Sequence, residues 1–373
     1  MISPVLSGLA AYPFTRLNEA IADAEARGID VIDFGMGDPR EPTPEFVRRA
    51  LVEAVPDRSG YPLASGLPEH RAAIAAWAGR RFGVELDPDT EIVPTLGSKE
   101  AIYLLAQMVV SPERRGVVVP EPAYPVYERG ALFAGARVVV APLLEANGFL
   151  PTLDAIPDDA AIVWVNYPNN PTGALAPLSF YEELAQRARK VGFVLASDEA
   201  YTELWFTEPP ASALQLADRR NVLVFNTLSK RSSMTGYRSG FAAGDPELIA
   251  AMKAFRPTVG VAPQEFVQRA AIAAWNDEAH VEETRGRYRA KRELLLDVLA
   301  RKGVRVVASE ATMYLWIAVD EPSEEFATRL LEHGIAVAPG AYFGPAGEGY
   351  ARLALVPTLE DCRRAAAILE DVL

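Results

Sequence analysis

Three polar clusters, each placed after a run of apolar residues, hold most of the side chains that could do chemistry. Asn169-Asn170-Pro171-Thr172-Gly173 comes just after the run 161–165, and Asp198-Glu199-Ala200-Tyr201 closes the run 193–197. Ser229-Lys230-Arg231 through Tyr237-Arg238 follows the run 222–226. A lysine offers a primary amine that can act as nucleophile or base, and an arginine offers a planar fork for a phosphate or carboxylate. Aspartate, tyrosine and asparagine add a fixed charge and hydrogen-bond partners. A fourth segment, Leu96-Gly97-Ser98-Lys99, opens the apolar helical pattern 101–110. There, backbone N–H groups and the helix dipole would face an anion.

Other chemistries are excluded by inventory. The single cysteine, Cys362, rules out a disulfide framework and any multi-thiolate metal site. His70, His280 and His333 are far apart in sequence and none lies in an HExxH spacing, so no metal is expected. A formal net charge of −13 leaves no electrostatic footprint for nucleic acid. No signal peptide or bilayer-spanning run is evident, so a cytoplasmic protein without a membrane partner is expected. Lysine is scarce, at positions 99, 190, 230, 253, 291 and 302 among 37 basic residues. Lys190, Lys253, Lys291 and Lys302 fall in helical patterns or at their ends and read as solvated surface lysines.

The elements that must position these clusters alternate. Apolar runs at 31–34, 91–95, 116–119, 137–140, 161–165, 193–197, 222–226 and 240–243 read as strands, with amphipathic helical patterns between them. Gly28, Gly83 and Gly192 read as helix stops, Thr43-Pro44 as an N-cap with a first-turn proline, and Ser179-x-x-Glu182 as a capping box. This alternation predicts an α/β fold with a mainly parallel sheet covered by helices on both faces. Residues just past the carboxyl ends of such strands line the ligand crevice, so the three clusters should converge. At 373 residues, more than one domain is expected. From about residue 281 the pattern changes to a long charged helix (281–301), strands at 305–307, 314–317, 335–338 and 351–355, and helices from about 323 and 358. The expected division is a large domain, 44–280, and a smaller α+β domain built from 1–43 and 281–373.

In this order and at strand ends, these residues resemble the class I/II aminotransferases, the pyridoxal-phosphate enzymes of fold type I. The likeness runs from Gly35-Met36-Gly37-Asp38-Pro39 to Arg352. It implies a large domain with a mainly parallel seven-stranded sheet between helices. It also implies that pyridoxal 5'-phosphate is the cofactor and that an amino acid and a 2-oxo acid are the substrates. Lys230 then matches the lysine that forms the Schiff base, and Asp198 the carboxylate at the pyridine nitrogen. Tyr201 and Asn170 match the donors to the phenolate oxygen, and Tyr124 the aromatic stacked on the ring. Gly97, Ser98, Lys99, Thr227 (where many relatives have serine), Ser229 and Arg238 match the phosphate end. Tyr61 matches a tyrosine that reaches the neighbouring subunit's phosphate, implying a homodimer with a shared active site. Arg352, aided by Gly37, matches the clamp on the substrate α-carboxylate.

Ala11-Tyr12-Pro13-Phe14, the segment 37–44 and the stretch from Tyr61 look most like the branch containing N-succinyldiaminopimelate aminotransferases, with Tyr12 and Phe14 touching substrate and glutamate as the amino donor. Aspartate, alanine or aromatic aminotransferase, a C–S β-lyase, and a non-catalytic sensor of cofactor or amino acid stand as alternatives.

Overall fold

Strands buried on both faces read as unbroken apolar runs, because each face must be covered by helices. Three such runs form the centre of the larger sheet in the computed structural model, which describes residues 2–9 and 12–373. The first strand in the chain, β1 (Ile32–Asp33), belongs elsewhere. The larger sheet is built from β2 (Ile92–Thr95), β3 (Gly116–Glu121), β4 (Arg137–Pro142), β5 (Ala160–Asn166), β6 (Val194–Asp198), β7 (Val222–Thr227) and β8 (Gly240–Gly244). Their order is β2-β8-β7-β6-β5-β3-β4, with β4, β3, β5, β6 and β7 parallel and β8 antiparallel to both its neighbours.

Side chains alternate across the pleat and feed two cores. Val163, Val165, Leu195 and Val224 enter one, while Ile162, Trp164, Ala196 and Phe225 enter the other. Gly83 and Gly192 end their helices in the left-handed region at φ 68° and 89°, and Gly28 at φ 85° follows the end of another, as the pattern predicts.

A second body forms around β9 (Val306–Ala308), β10 (Tyr314–Ala318), β11 (Ile335–Ala336), β12 (Ala338–Pro339) and β13 (Tyr350–Ala354). The order β12-β13-β10-β9 makes one antiparallel sheet, and β1 pairs in parallel with β11. Ile32 and Phe34 therefore share a core with Tyr288, Leu315, Leu330 and Leu353. On this packing we propose the division of the chain at 43/44 and 280/281.

Four local expectations are corrected. The helix at 45–54 takes Pro44 as its N-cap residue, without a side-chain cap. Thr43 Oγ1 instead donates to the Ser233 carbonyl at 2.6 Å. The helix Leu178–Val191 begins one residue before Ser179, behind Pro177, so Ser179 lies inside the first turn and caps nothing. The strand expected at 335–338 splits at Val337, with each two-residue half pairing in a different sheet. Lys291 is not a solvated lysine: it is 1% exposed and pairs with Glu41 at 2.7 Å. A buried ammonium requires such a partner. Among the described residues no helix is long and apolar enough to cross a membrane.

Candidate active site

Because β5, β6 and β7 are parallel neighbours, their carboxyl ends meet at one edge of the sheet. Asparagines close the gaps where the ladder lapses. Asn166 Nδ2 donates to the Asp198 carbonyl at 2.7 Å, its Oδ1 accepts from the Asn170 N–H at 2.9 Å, and Asn226 Nδ2 donates to the Glu199 carbonyl at 3.0 Å. Above this edge lies a cavity of about 390 Å³. Its walls bring together Gly37, Ser98, Lys99, Tyr124, Asn170, Asp198, Tyr201, Thr227, Ser229, Lys230, Arg238 and Arg352, together with Tyr12 and Phe14 from the N-terminal segment. Gly97 sits directly behind, against Arg238. Ala11 lies outside the described residues. Tyr61 is not brought into the cavity; it is fully exposed on the single chain.

Asp198 is buried. Its carboxylate accepts from Tyr127 Oη at 2.7 Å and from the Ala200 N–H at 3.2 Å, and among the described residues no cation is bonded to it. Burial pushes its pKa up to about 6, against the pull of those hydrogen bonds and of Lys230. Such a carboxylate has room for one positive partner, and the protonated nitrogen of a pyridine ring is one. Lys230 sits in the single turn Leu228–Arg231, capped by Thr227, whose Oγ1 accepts from the Ser229 N–H at 3.2 Å. Its Nζ donates to the Gly37 carbonyl at 2.6 Å. Burial holds the amine below the usual lysine range; Tyr314 and Asp38 oppose this, and Arg352 and Arg238 reinforce it. Tyr201 Oη is 2.8 Å from Tyr314 Oη, and burial followed by that neighbour keeps the Tyr201 phenol protonated.

The anion end is built from the start of the helix Gly97–Val109. Gly97 adopts φ 69°, and a Cβ there would lie 2.7 Å from Arg238 Nη2. Only glycine lets the guanidinium cross the helix start. Arg238 is held by the carbonyls of Thr235 at 2.8 Å and Leu96 at 3.2 Å. Thr227 Oγ1 and Ser229 Oγ are 2.9 Å apart beside it. An N-terminal turn, two hydroxyls and an exposed guanidinium fit a phosphate.

Opposite lies Arg352, 2% exposed, on β13. It donates to Asn170 Oδ1 at 2.9 Å and to the Gly35 carbonyl at 2.6 Å, and its Nε is buried with no partner among the described residues. Rings of Phe14, Tyr314 and Phe343 surround it at 5.4, 4.2 and 4.7 Å. A desolvated guanidinium lacking a carboxylate is costly, so the site is built for an anion that arrives from outside. Lys99 and Arg129 approach the Tyr12 ring at 5.9 and 5.8 Å, and Lys99 also approaches Tyr124 at 5.5 Å.

Sequence reasoning missed Tyr127, Tyr314 and Phe343. Tyr127 lies in the first turn of the helix Val126–Phe133, three residues after Tyr124, and the two rings meet edge to face at 6.3 Å. Tyr314 lies on β10, which pairs with the strand of Arg352. The available signal was the pairing of those two strands, which the residue pattern alone does not reveal.

The family model for aminotransferase class I and II matches residues 29–369. An LL-diaminopimelate aminotransferase of Aquifex aeolicus is 42% identical, over 95% of this chain and 94% of its own length. Among solved structures, a probable N-succinyldiaminopimelate aminotransferase from Thermus thermophilus superposes with a TM-score of 0.89 at 34% identity, covering 96% of this chain and all of the other. An aspartate aminotransferase from Thermus thermophilus, solved with maleate, superposes with a TM-score of 0.91 at 32% identity and full coverage of both chains.

Proposed function

The chain belongs to the class I and II aminotransferases and takes pyridoxal phosphate, and from that premise we propose that its amino substrate is a diaminopimelate-type dicarboxylic amino acid. We assign glutamate and 2-oxoglutarate as the exchanging pair. The observation that carries the substrate reading is the N-terminal segment, which lays Phe14 on Arg352 and Tyr12 beside Lys99 and Arg129. It thus lies against two cations that line one cavity, Arg352 and Lys99. Arg352 takes the α-carboxylate with its parallel N–H groups. Lys99, expected at the phosphate from its motif, has its ammonium against Tyr12 and Tyr124, and we assign it to the far carboxylate of the substrate. The names of the relatives at about 40% identity and the maleate, a dicarboxylate, bound to the similar aspartate enzyme support the same reading.

Bound pyridoxal phosphate supplies the aldehyde that takes up the amino group and a ring that accepts the electron pair left at Cα. The residues divide the remaining work. Ser98, Thr227, Ser229 and Arg238, with the N–H groups after Gly97, hold the phosphate. Asp198, fixed by Tyr127, keeps a proton on the ring nitrogen. Tyr201 and Asn170 donate to the ring oxygen, and Tyr124 covers the ring face. Lys230 Nζ, its basicity lowered by burial, removes the proton from the substrate Cα as general base. Phe14, Tyr314 and Phe343 keep water from Arg352, which strengthens its grip on the carboxylate.

The test is a half-reaction. Cofactor-loaded protein is mixed separately with LL-diaminopimelate, its N-succinyl derivative, aspartate, alanine and tyrosine, and loss of the visible cofactor band is followed. Bleaching by one of the diaminopimelates at the lowest concentration supports the reading and tells free from succinylated substrate. Bleaching by aspartate or alanine alone contradicts it. So does release of thiol and pyruvate from a cysteine conjugate, which would indicate a β-lyase.

A further inference from the structure

The residues that follow Lys230 make a set of contacts the reaction itself does not use. Arg231, 1% exposed, donates from Nη1 to the Ala274 carbonyl at 2.8 Å and from Nη2 to the Glu278 carboxylate at 3.0 Å. Its guanidinium lies 4.9 Å from the Trp275 ring centre. Ser232 Oγ is 2.8 Å from His280 Nε2. His280 Nδ1 is 2.6 Å from Asp277 Oδ1, which also accepts from the His280 backbone N–H at 2.9 Å. Burial, followed by the charge of Arg231, holds His280 below the ordinary imidazole range, so it is neutral at neutral pH. A carboxylate only accepts, so Nδ1 carries the hydrogen and Nε2 accepts from the Ser232 hydroxyl. Serine, histidine and aspartate in a row also make a hydrolase triad. Ser232 is wholly buried, however, and no substrate reaches its oxygen. The row is a clasp.

What it clasps lies between the two bodies. Besides the excursion that puts Tyr201 and Leu204 in the second core, two crossings carry the chain from one core to the other, the first between Phe34 and Val47 and the second between Trp275 and Tyr288. Asp277, Glu278 and His280 lie in the second crossing. Thr43, which donates to the Ser233 carbonyl, lies in the first, as does Gly37, whose carbonyl takes the Lys230 hydrogen bond.

We propose that Arg231 and Ser232 are positioning residues that register the Lys230 amine to both crossings, so that the seat of the second body, with Arg352, and the place of the working amine are set together. This rests on the reading of Lys230 as the base at the substrate Cα.

The test compares Ser232→Ala, which removes the hydroxyl, with Ser232→Thr, which keeps it, as cofactor-loaded enzymes. For Ser232→Ala, kcat should fall about tenfold with KM within about twofold, since the loss falls on amine placement and not on substrate binding. The pH midpoint of the visible cofactor band, which reports on the proton at the nitrogen that Lys230 contributes, should move by about half a unit or more. Ser232→Thr should restore both. If Ser232→Ala melts early, Arg231→Lys, which keeps the charge and loses the fork, is read in the same way. Unchanged kcat and midpoint in a folded variant overturn the clasp, and so does a loss in KM alone or one that Ser232→Thr does not repair. Lys230→Ala separates the two claims. Loss of the lysine-linked band there, with Ser232→Ala unaffected, overturns the clasp alone, whereas persistence of the band overturns the reading of Lys230 and the clasp with it.

Discussion

Asp198 illustrates what a residue gives up to be useful. Its folded pKa, about 6, stands above the ordinary 3.8 because burial disfavours the charge. Between those values the folded chain without cofactor holds a proton that the unfolded chain has released. Stability contributed by this group is therefore full below about pH 4 and is lost as pH rises through 6, by ~3 kcal/mol. Buried Glu199, raised by burial to about 7, shifts the same way. In Asp198→Asn without cofactor, the drop in urea-unfolding free energy between pH 4 and pH 8 should shrink by ~3 kcal/mol; an unchanged drop contradicts the assignment. Asp198 and Lys230 were legible in the sequence because their neighbours form runs of distinctive polar residues. Tyr127 and Tyr314 were not, since each sits in an ordinary helical or strand pattern and acquires its meaning only from what packs opposite. The same is true of Lys291, whose partner Glu41 is 250 residues away.

At the scale of elements, strands were legible and their exact ends were not. A strand buried on both faces must be apolar along its length, and β5, β6 and β7 are so until their carboxyl ends, where Asn166, Ser197-Asp198 and Asn226-Thr227 turn polar toward the cavity. A cap depends on where the backbone starts to coil, so the pattern at Ser179 misled, while the box that does form, Ser212 with Gln215, caps a three-residue turn. Backbone demands are clearest at the start of the helix Gly97–Val109. In Gly97→Ala a Cβ would enter the space of Arg238 at a φ of 69°, where a side chain costs roughly 1–2 kcal/mol. Cofactor affinity should fall by at least about tenfold while the melting temperature without cofactor drops only a few degrees. Titration of the protein with pyridoxal phosphate measures this, and unaltered affinity contradicts the account of the anion end.

For the whole molecule, the change of pattern near residue 281 marked the second body, but the tie of the N-terminal segment to it shows only in the fold, through the parallel pairing of β1 with β11 and the packing of Phe14, Leu17, Ile32 and Phe34 on its strands. We also propose a homodimer. Tyr61 is fully exposed and has Leu63, Val52, Val55 and Val259 for exposed apolar company, a set that a second copy would cover. Sedimentation at twice the chain mass supports this, and a monomer overturns it.

Because lysine is scarce, the residue that holds the cofactor can be identified in one experiment. Borohydride reduction of the cofactor-loaded protein fixes the cofactor to the amine that holds it, and mass spectrometry of the digested chain then locates it among the six lysines. The label is expected on Lys230 alone; a label on Lys99, on Lys291 or on no lysine would contradict the role of Lys230.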